Sequence, residues 1–325
     1  MDVKLTVSQL YARGKENLQK MGVDWAFAPD GIMGAAVQAN RRYLDSLFFE
    51  PKFLDPVEVD TGCTLFGARL KTPIYGSPIS RTKGMPENSL AEIARGLKNA
   101  GSLMMLGMGG SPDLQSAIDT GVPVVKIVKP YRTTELIYEK VRDAEQRGCV
   151  AVGMDIDHFY GRLGGDKVER TDTFAPQSSA ELKQVISGTK LPFIIKGVLS
   201  LTDAAKAVEL GAAAVLVSNH GRNAFDFTVP SMIALPGIVD SVGGKVTVLV
   251  DTGFKTGNDV FKGLAFGARG VGFGGSLLLA WGADGAAGVE SLVNQLTAEL
   301  HRTMAAAGCP TVSAVKRSCI VQVHV

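Results

Sequence analysis

The chain has 325 residues, 46% of them hydrophobic, and 34 Lys and Arg against 32 Asp and Glu leave a net charge of +2. That apolar content supports a sizeable core and excludes a disordered chain, while a near-neutral charge with no basic run excludes the positive stripe that nucleic-acid binding needs. A small-molecule partner and one large α/β domain over 1–325 are therefore expected.

The N-terminal stretch MDVKLTVSQLYARGKENLQK is amphipathic and lacks the apolar core of a signal peptide. No uninterrupted apolar run reaches the roughly 18 residues a membrane span requires, so a cytoplasmic, soluble protein is expected. Helical spacing of apolar residues predicts helices over 7–20 and 33–47, the second opening after the Pro29, Asp30, Gly31 turn. Residues 57–70 alternate apolar and polar around Gly67, as a β-hairpin would, and such a hairpin would close one end of a barrel.

From Pro73 a short apolar run followed by a helical pattern recurs eight times, with runs at 73–78, 102–106, 122–128, 150–156, 191–197, 213–219, 246–251 and 270–275. Most are too apolar to have a wet face, the pattern of parallel strands covered by helices. Eight such units predict a (β/α)8 barrel over 73–308, with helices and hairpin in 1–72 and a tail over 309–325; an open doubly wound sheet is the alternative. The stretch GRLGGDKVERTDTFAPQSS after the fourth run has no helical period and is expected to be a loop above the barrel. Cys63, Cys149, Cys309 and Cys319 are scattered without a C-x-x-C pair, which suggests reduced thiols and no metal site.

In a barrel the active site lies at the C-terminal ends of the strands. The polar residues ending the runs are Asp155 and Asp157, Lys196, Asn219 and His220, and Asp251. In LVSNHGRNAFD a strand ends in a histidine followed by a glycine turn and an arginine, which brings a base beside a carboxylate clamp. Asp157 is the candidate that orients its imidazole, and Lys196 follows four core residues, where an ammonium needs an anion. Arg162 and Arg222 are the arginines best placed to approach. The glycine turns of DTGFKTGNDVFKGLAFGARGVGFGGS follow the last two strands, where barrels bind phosphate through backbone N–H groups.

The SNHG strand end, the KG strand end and the two late glycine turns together resemble the FMN-dependent 2-hydroxy-acid dehydrogenases and oxidases, the family of lactate and glycolate oxidases. The resemblance runs from ANRRYLDSLFFEPKF to GVESLVNQLTAELHRTMAAAGC. It implies FMN at the strand C-termini and oxidation of a small (S)-2-hydroxy acid, with electrons passed on to an unidentified acceptor and a homo-oligomer, tetrameric in the family. His220 matches the base, Asp157 its partner and Lys196 the cation near the flavin. Asp251, Gly253, Lys255, Gly274 and Gly275 match the phosphate surroundings; Ser77, Pro78, Ile79, Gly107, Lys126, Asp155 and Ser218 match the flavin's. Trp25, Tyr131, Arg162, Arg222 and Asn223 match the substrate side.

Departures accompany the match. Asn223 stands where the family has its carboxylate-clamping arginine, Lys126 where it has a flavin-contacting glutamine, Val128 where it has a tyrosine, and Gly275 where it has an arginine. The loop after the fourth strand is short, with DIDHFYGR in place of a D-T-P stretch. Two alternatives remain: a chemistry like that of type 2 isopentenyl-diphosphate isomerases, whose late glycine turns are similar, and a flavin-binding barrel that has lost catalysis.

Overall fold

The computed structural model describes residues 5–23, 34–158, 162–164, 167–169, 173–221 and 227–323. Helix α1 (Val7–Lys20) starts at a capping box in which Thr6 and Gln9 exchange side-chain and backbone hydrogen bonds, and α2 (Ala35–Asp45) follows. Strand β1 (Leu47–Phe49) comes next, then a hairpin of β2 (Cys63–Leu65) and β3 (Ala68–Leu70). Its turn takes positive φ at Phe66 (49°) and Gly67 (78°), as a two-residue hairpin loop twisted with its strands requires.

The eightfold repeat then unfolds in chain order. Strand β4 (Ile74–Ile79) leads to α3 (Ser89–Asn99), β5 (Leu103–Leu106) to α4 (Ser111–Ile118), and β6 (Val124–Val128) to α5 (Thr134–Gln146). After β7 (Ala151–Asp155) the expected irregular loop contains a short antiparallel pair, β8 (Arg162–Gly164) with β9 (Lys167–Glu169). The polar, glycine-rich sequence of this stretch carries no apolar alternation, so its pairing had no sequence signal. Helix α6 (Ser179–Ser187) precedes β10 (Phe193–Val198), α7 (Leu201–Glu209), β11 (Ala214–Val217), α8 (Ser231–Val242) and β12 (Thr247–Val250). The repeat ends with α9 (Gly257–Ala265), β13 (Gly270–Phe273) and α10 (Gly275–Ala306), and β14 (Ile320–Gln322) pairs antiparallel with β1. Helix α10 is two helices joined at a break, where Asp284 and Gly285 leave helical geometry.

Strands β4, β5, β6, β7, β10, β11, β12 and β13 form a closed parallel barrel, each predicted run supplying one strand. Closure leaves no exposed sheet edge, and alternation sends side chains to two separate layers. Tyr75, Leu103, Met105, Val125, Ile127, Ala151, Ile194, Ala214, Leu216 and Leu249 fill the interior. Their sequence neighbours, such as Val124, Val128, Val152, Met154, Val215 and Val217, pack outward against the helices. Leu65 and Leu70 of the hairpin join the interior cluster, so the hairpin plugs the end of the barrel opposite the strand C-termini. Gly14 lets α1 lie directly on α10, since a Cβ there would sit 1.8 Å from the Leu279 carbonyl oxygen. Among the described residues, no helix is long and apolar enough to cross a membrane.

Leu216 is fully buried in the interior layer, so Leu216→Ala should cost about 2–5 kcal/mol of unfolding free energy in a urea titration. Leu201, 54% exposed, is the control, and Leu201→Ala should change stability by less than about 0.5 kcal/mol.

Candidate active site

The inward period of the strands continues past their C-terminal ends and selects which polar groups meet at the mouth. Beyond Tyr75, Val125, Ala151, Ile194, Leu216 and Leu249, every second residue brings in Ser77, Lys129, Asp155, Lys196, Ser218 and Asp251. Asp155 and Lys196 are register partners on the adjacent strands β7 and β10.

Asp155 is fully buried and carries two ammonium groups, Lys129 Nζ at 2.5 Å from Oδ2 and Lys196 Nζ at 2.8 Å from Oδ1. Burial pushes its pKa up, but Lys129, Lys196 and then His220 outweigh that and hold the carboxyl well below its ordinary value. Burial likewise opposes the charge on Lys196, and Asp155, Asp157 and Asp251 overcome it, so its pKa is raised.

His220 follows β11 in left-handed backbone geometry, φ 58°, a conformation that costs a residue with a Cβ about 1–2 kcal/mol. Its backbone N–H donates to Ser218 Oγ at 3.1 Å, which helps to hold the turn. Nδ1 lies 3.1 Å from Asp157 Oδ1 and 3.2 Å from Oδ2, and 3.2 Å from Lys196 Nζ. An ammonium only donates and Lys196 is already engaged with Asp155, whereas the Asp157 carboxylate only accepts. The proton therefore belongs on Nδ1, directed at Asp157, which leaves the Nε2 lone pair for a substrate. Burial works to raise the Asp157 pKa, and His220 and Lys196 reverse the sign and keep it low. Gly197 makes room for this pair: its φ is 98°, and a Cβ there would approach Asp157 Cγ to 2.7 Å.

Two residues at this mouth went unassigned from sequence. Lys129 is one; it lies just beyond β6, and its charge on a strand end was the available signal. His158 is the other, its ring 5.2 Å from the His220 ring and 5.4 Å from Phe174. Burial, then Lys129 and His220, push its pKa down to about 3, so it is neutral.

Lys126 is corrected by one step of strand period. It shares the outward face with Val124 and Val128, and its Nζ donates to the carbonyl oxygen of Gly107 at 2.6 Å, anchoring the loop after β5. Burial and the nearby Lys140 lower its pKa to about 8. Val128 likewise faces the helices, and the side chain that occupies the inward position there is Lys129. Tyr131 is buried against Phe174, ring centroids 5.5 Å apart. Trp25, Arg222 and Asn223 lie outside the described residues, and only the backbone of Arg162 is described, at the start of β8.

The last two strands end in a surface suited to a flavin phosphate. Helix α10 opens at Gly274 with no side-chain cap, and an added Cβ at Gly275 would meet nothing within 4 Å. The first turn thus leaves backbone N–H groups without a side-chain partner, next to open space at Gly275, as an anion site requires. Ser77 Oγ donates to Asp251 Oδ2 at 3.1 Å across the β4 and β12 ends. Arg41, also unassigned from sequence, grips Asp259 with two bonds of 2.8 and 2.9 Å and the Gly253 carbonyl oxygen at 3.1 Å, bracing the turn that carries Gly253 and the exposed Lys255. Open helix N–H groups, a glycine turn and the inward ammonium of Lys196 form a donor set that fits FMN.

A family model described as FMN-dependent dehydrogenase matches residues 25–171 and 163–322. Glycolate oxidase 3 of Arabidopsis thaliana is 30% identical, covering 94% of this chain and 92% of that protein. Glycolate oxidase of Spinacia oleracea is 28% identical over 96% of this chain and 94% of that protein. A crystal structure of a mandelate oxidase R163L variant with 2-hydroxy-phenylacetamide superposes with a TM-score of 0.91 at 29% identity, covering 99% of this chain and 100% of that one.

Asp155→Asn leaves Lys129 and Lys196 without their shared carboxylate and should cost about 3–5 kcal/mol in urea unfolding; a loss under about 1 kcal/mol would show that the ion pairs do not hold the mouth together. Acid should also weaken the fold through His158, whose pKa falls from 6.5 to about 3. Between those values the unfolded chain binds the extra proton, so stability is complete above the upper value and declines as pH falls through the window. The slope reaches at most about 1.4 kcal/mol per pH unit, and His158→Asn should flatten it in urea midpoints measured against pH.

Proposed function

This chain belongs to the FMN-dependent dehydrogenase family and oxidises 2-hydroxy acids with FMN as its cofactor, and we propose that its substrate is a small (S)-2-hydroxy acid of the lactate or glycolate kind, with His220 as the base. The observation that carries this reading is the His220 imidazole with Nδ1 on Asp157 and Nε2 left for substrate. A small side chain is supported by His158 and Phe174, which narrow the space beside the base.

Bound FMN supplies the two-electron acceptor. Lys196 and Ser77 on the inward faces, Asp251 with Gly253 and Lys255, and the α10 start at Gly274 and Gly275 are the groups that would hold it. His220 accepts the proton at Nε2 as the substrate is oxidised, and Asp157 stabilises the imidazolium that forms. Asp155 keeps Lys196 charged and in place. The isomerase-like and lapsed-barrel alternatives are not favoured: the relatives are oxidases, and the base has its partner.

The electrons then pass to an acceptor outside the site. A homo-oligomer, tetrameric as in the resemblance, is supported by exposed Phe48, Phe53, Leu54 and Val321, with Phe48 and Val321 paired across β1 and β14. A cytoplasmic setting is supported by four free cysteines.

His220→Ala should retain the flavin's visible absorption yet lose at least about 100-fold in the rate of anaerobic bleaching by 2-hydroxy acids. Undiminished bleaching would remove His220 from the chemistry.

A further inference from the structure

We propose that Lys129 is the cation that binds the substrate's carboxylate, in place of the arginine that the sequence lacks at Asn223. The inference rests on the 2-hydroxy-acid reading of the site.

Lys129 is 5% exposed, and it continues the inward face of Val125 and Ile127 into the mouth. Burying an ammonium is costly unless it meets anions, and a lysine carries three N–H donors. Asp155 takes one of them, at 2.5 Å. The remaining donors suit an oxyanion placed between Lys129 and His220, because the other Asp155 oxygen holds Lys196, whose ammonium touches the imidazole. Two cations on one carboxylate thus stand side by side, one next to the base and one displaced from it. His158, its ring 5.2 Å from the His220 ring, has its pKa lowered first by burial and then by Lys129, in keeping with a lysine that sits near the base.

A lysine clamp differs from an arginine clamp: it is a point charge without a planar fork, so it recognises charge more than carboxylate geometry.

The test uses the FMN-loaded protein with Lys129→Met and Lys129→Arg, titrated calorimetrically with oxalate, an unreactive dicarboxylate. Lys129→Met should retain FMN and weaken oxalate binding at least 30-fold, with Lys129→Arg recovering part of it. In turnover, Lys129→Met should erase the preference for a 2-hydroxy acid over its methyl ester, chiefly through KM. Unchanged oxalate affinity, or equal losses for acid and ester, would overturn the proposal. If Lys129→Met does not fold, Lys129→Gln, which keeps a hydrogen-bond donor for Asp155 but no charge, replaces it under the same criteria. Lys129-dependent oxalate binding with no bleaching by any 2-hydroxy acid would instead sink the oxidation reading and leave the anion site standing.

Discussion

At the mouth of the barrel a single carboxylate, Asp155, lies fully buried with an ammonium group on each oxygen. Removing an ion from water costs several kcal/mol, and a buried ion is tolerated only when opposite charge and hydrogen bonds replace the lost hydration. Here each partner meets the other's need. Lys129 comes from the end of β6 and Lys196 from β10, so the carboxylate of β7 ties three consecutive strands at the level where the chemistry occurs. Lys196 is thereby held charged and aimed at His220, and His220 is left to Asp157.

The rest of the molecule serves this arrangement by separating rigidity from function. Interior side chains fill the barrel and the β2–β3 hairpin closes its far end, so only the C-terminal mouth is polar. The strain there is local. His220 and Thr252 both take positive φ, at the ends of β11 and β12, where backbone must bend to present a side chain or a turn. A closed, well-packed barrel can hold such residues because their conformations are fixed by neighbours on both sides.

Much of the site was legible because its residues end strands. A charge at the close of an apolar run has few places to go, and His220, Asp157 and Lys196 were found in this way and do meet in space. The turn after β12 was legible from its glycines. Arg41 was not, since it lies on α2 far along the chain and reaches Asp259 only through packing. His158 was hidden in a segment whose polar and aromatic mixture carries no period.

By itself the sequence determined the architecture: eight apolar runs at regular spacing demand eight strands buried on both faces, and the last polar residue of each run marks the mouth. It did not determine which face of each strand turns inward. In VPVVKIV both faces are buried, so hydropathy shows no alternation, and a shift of one residue exchanges the two faces. Closure of the barrel made that choice, sending Lys126 outward to the Gly107 carbonyl oxygen and Lys129 inward to Asp155.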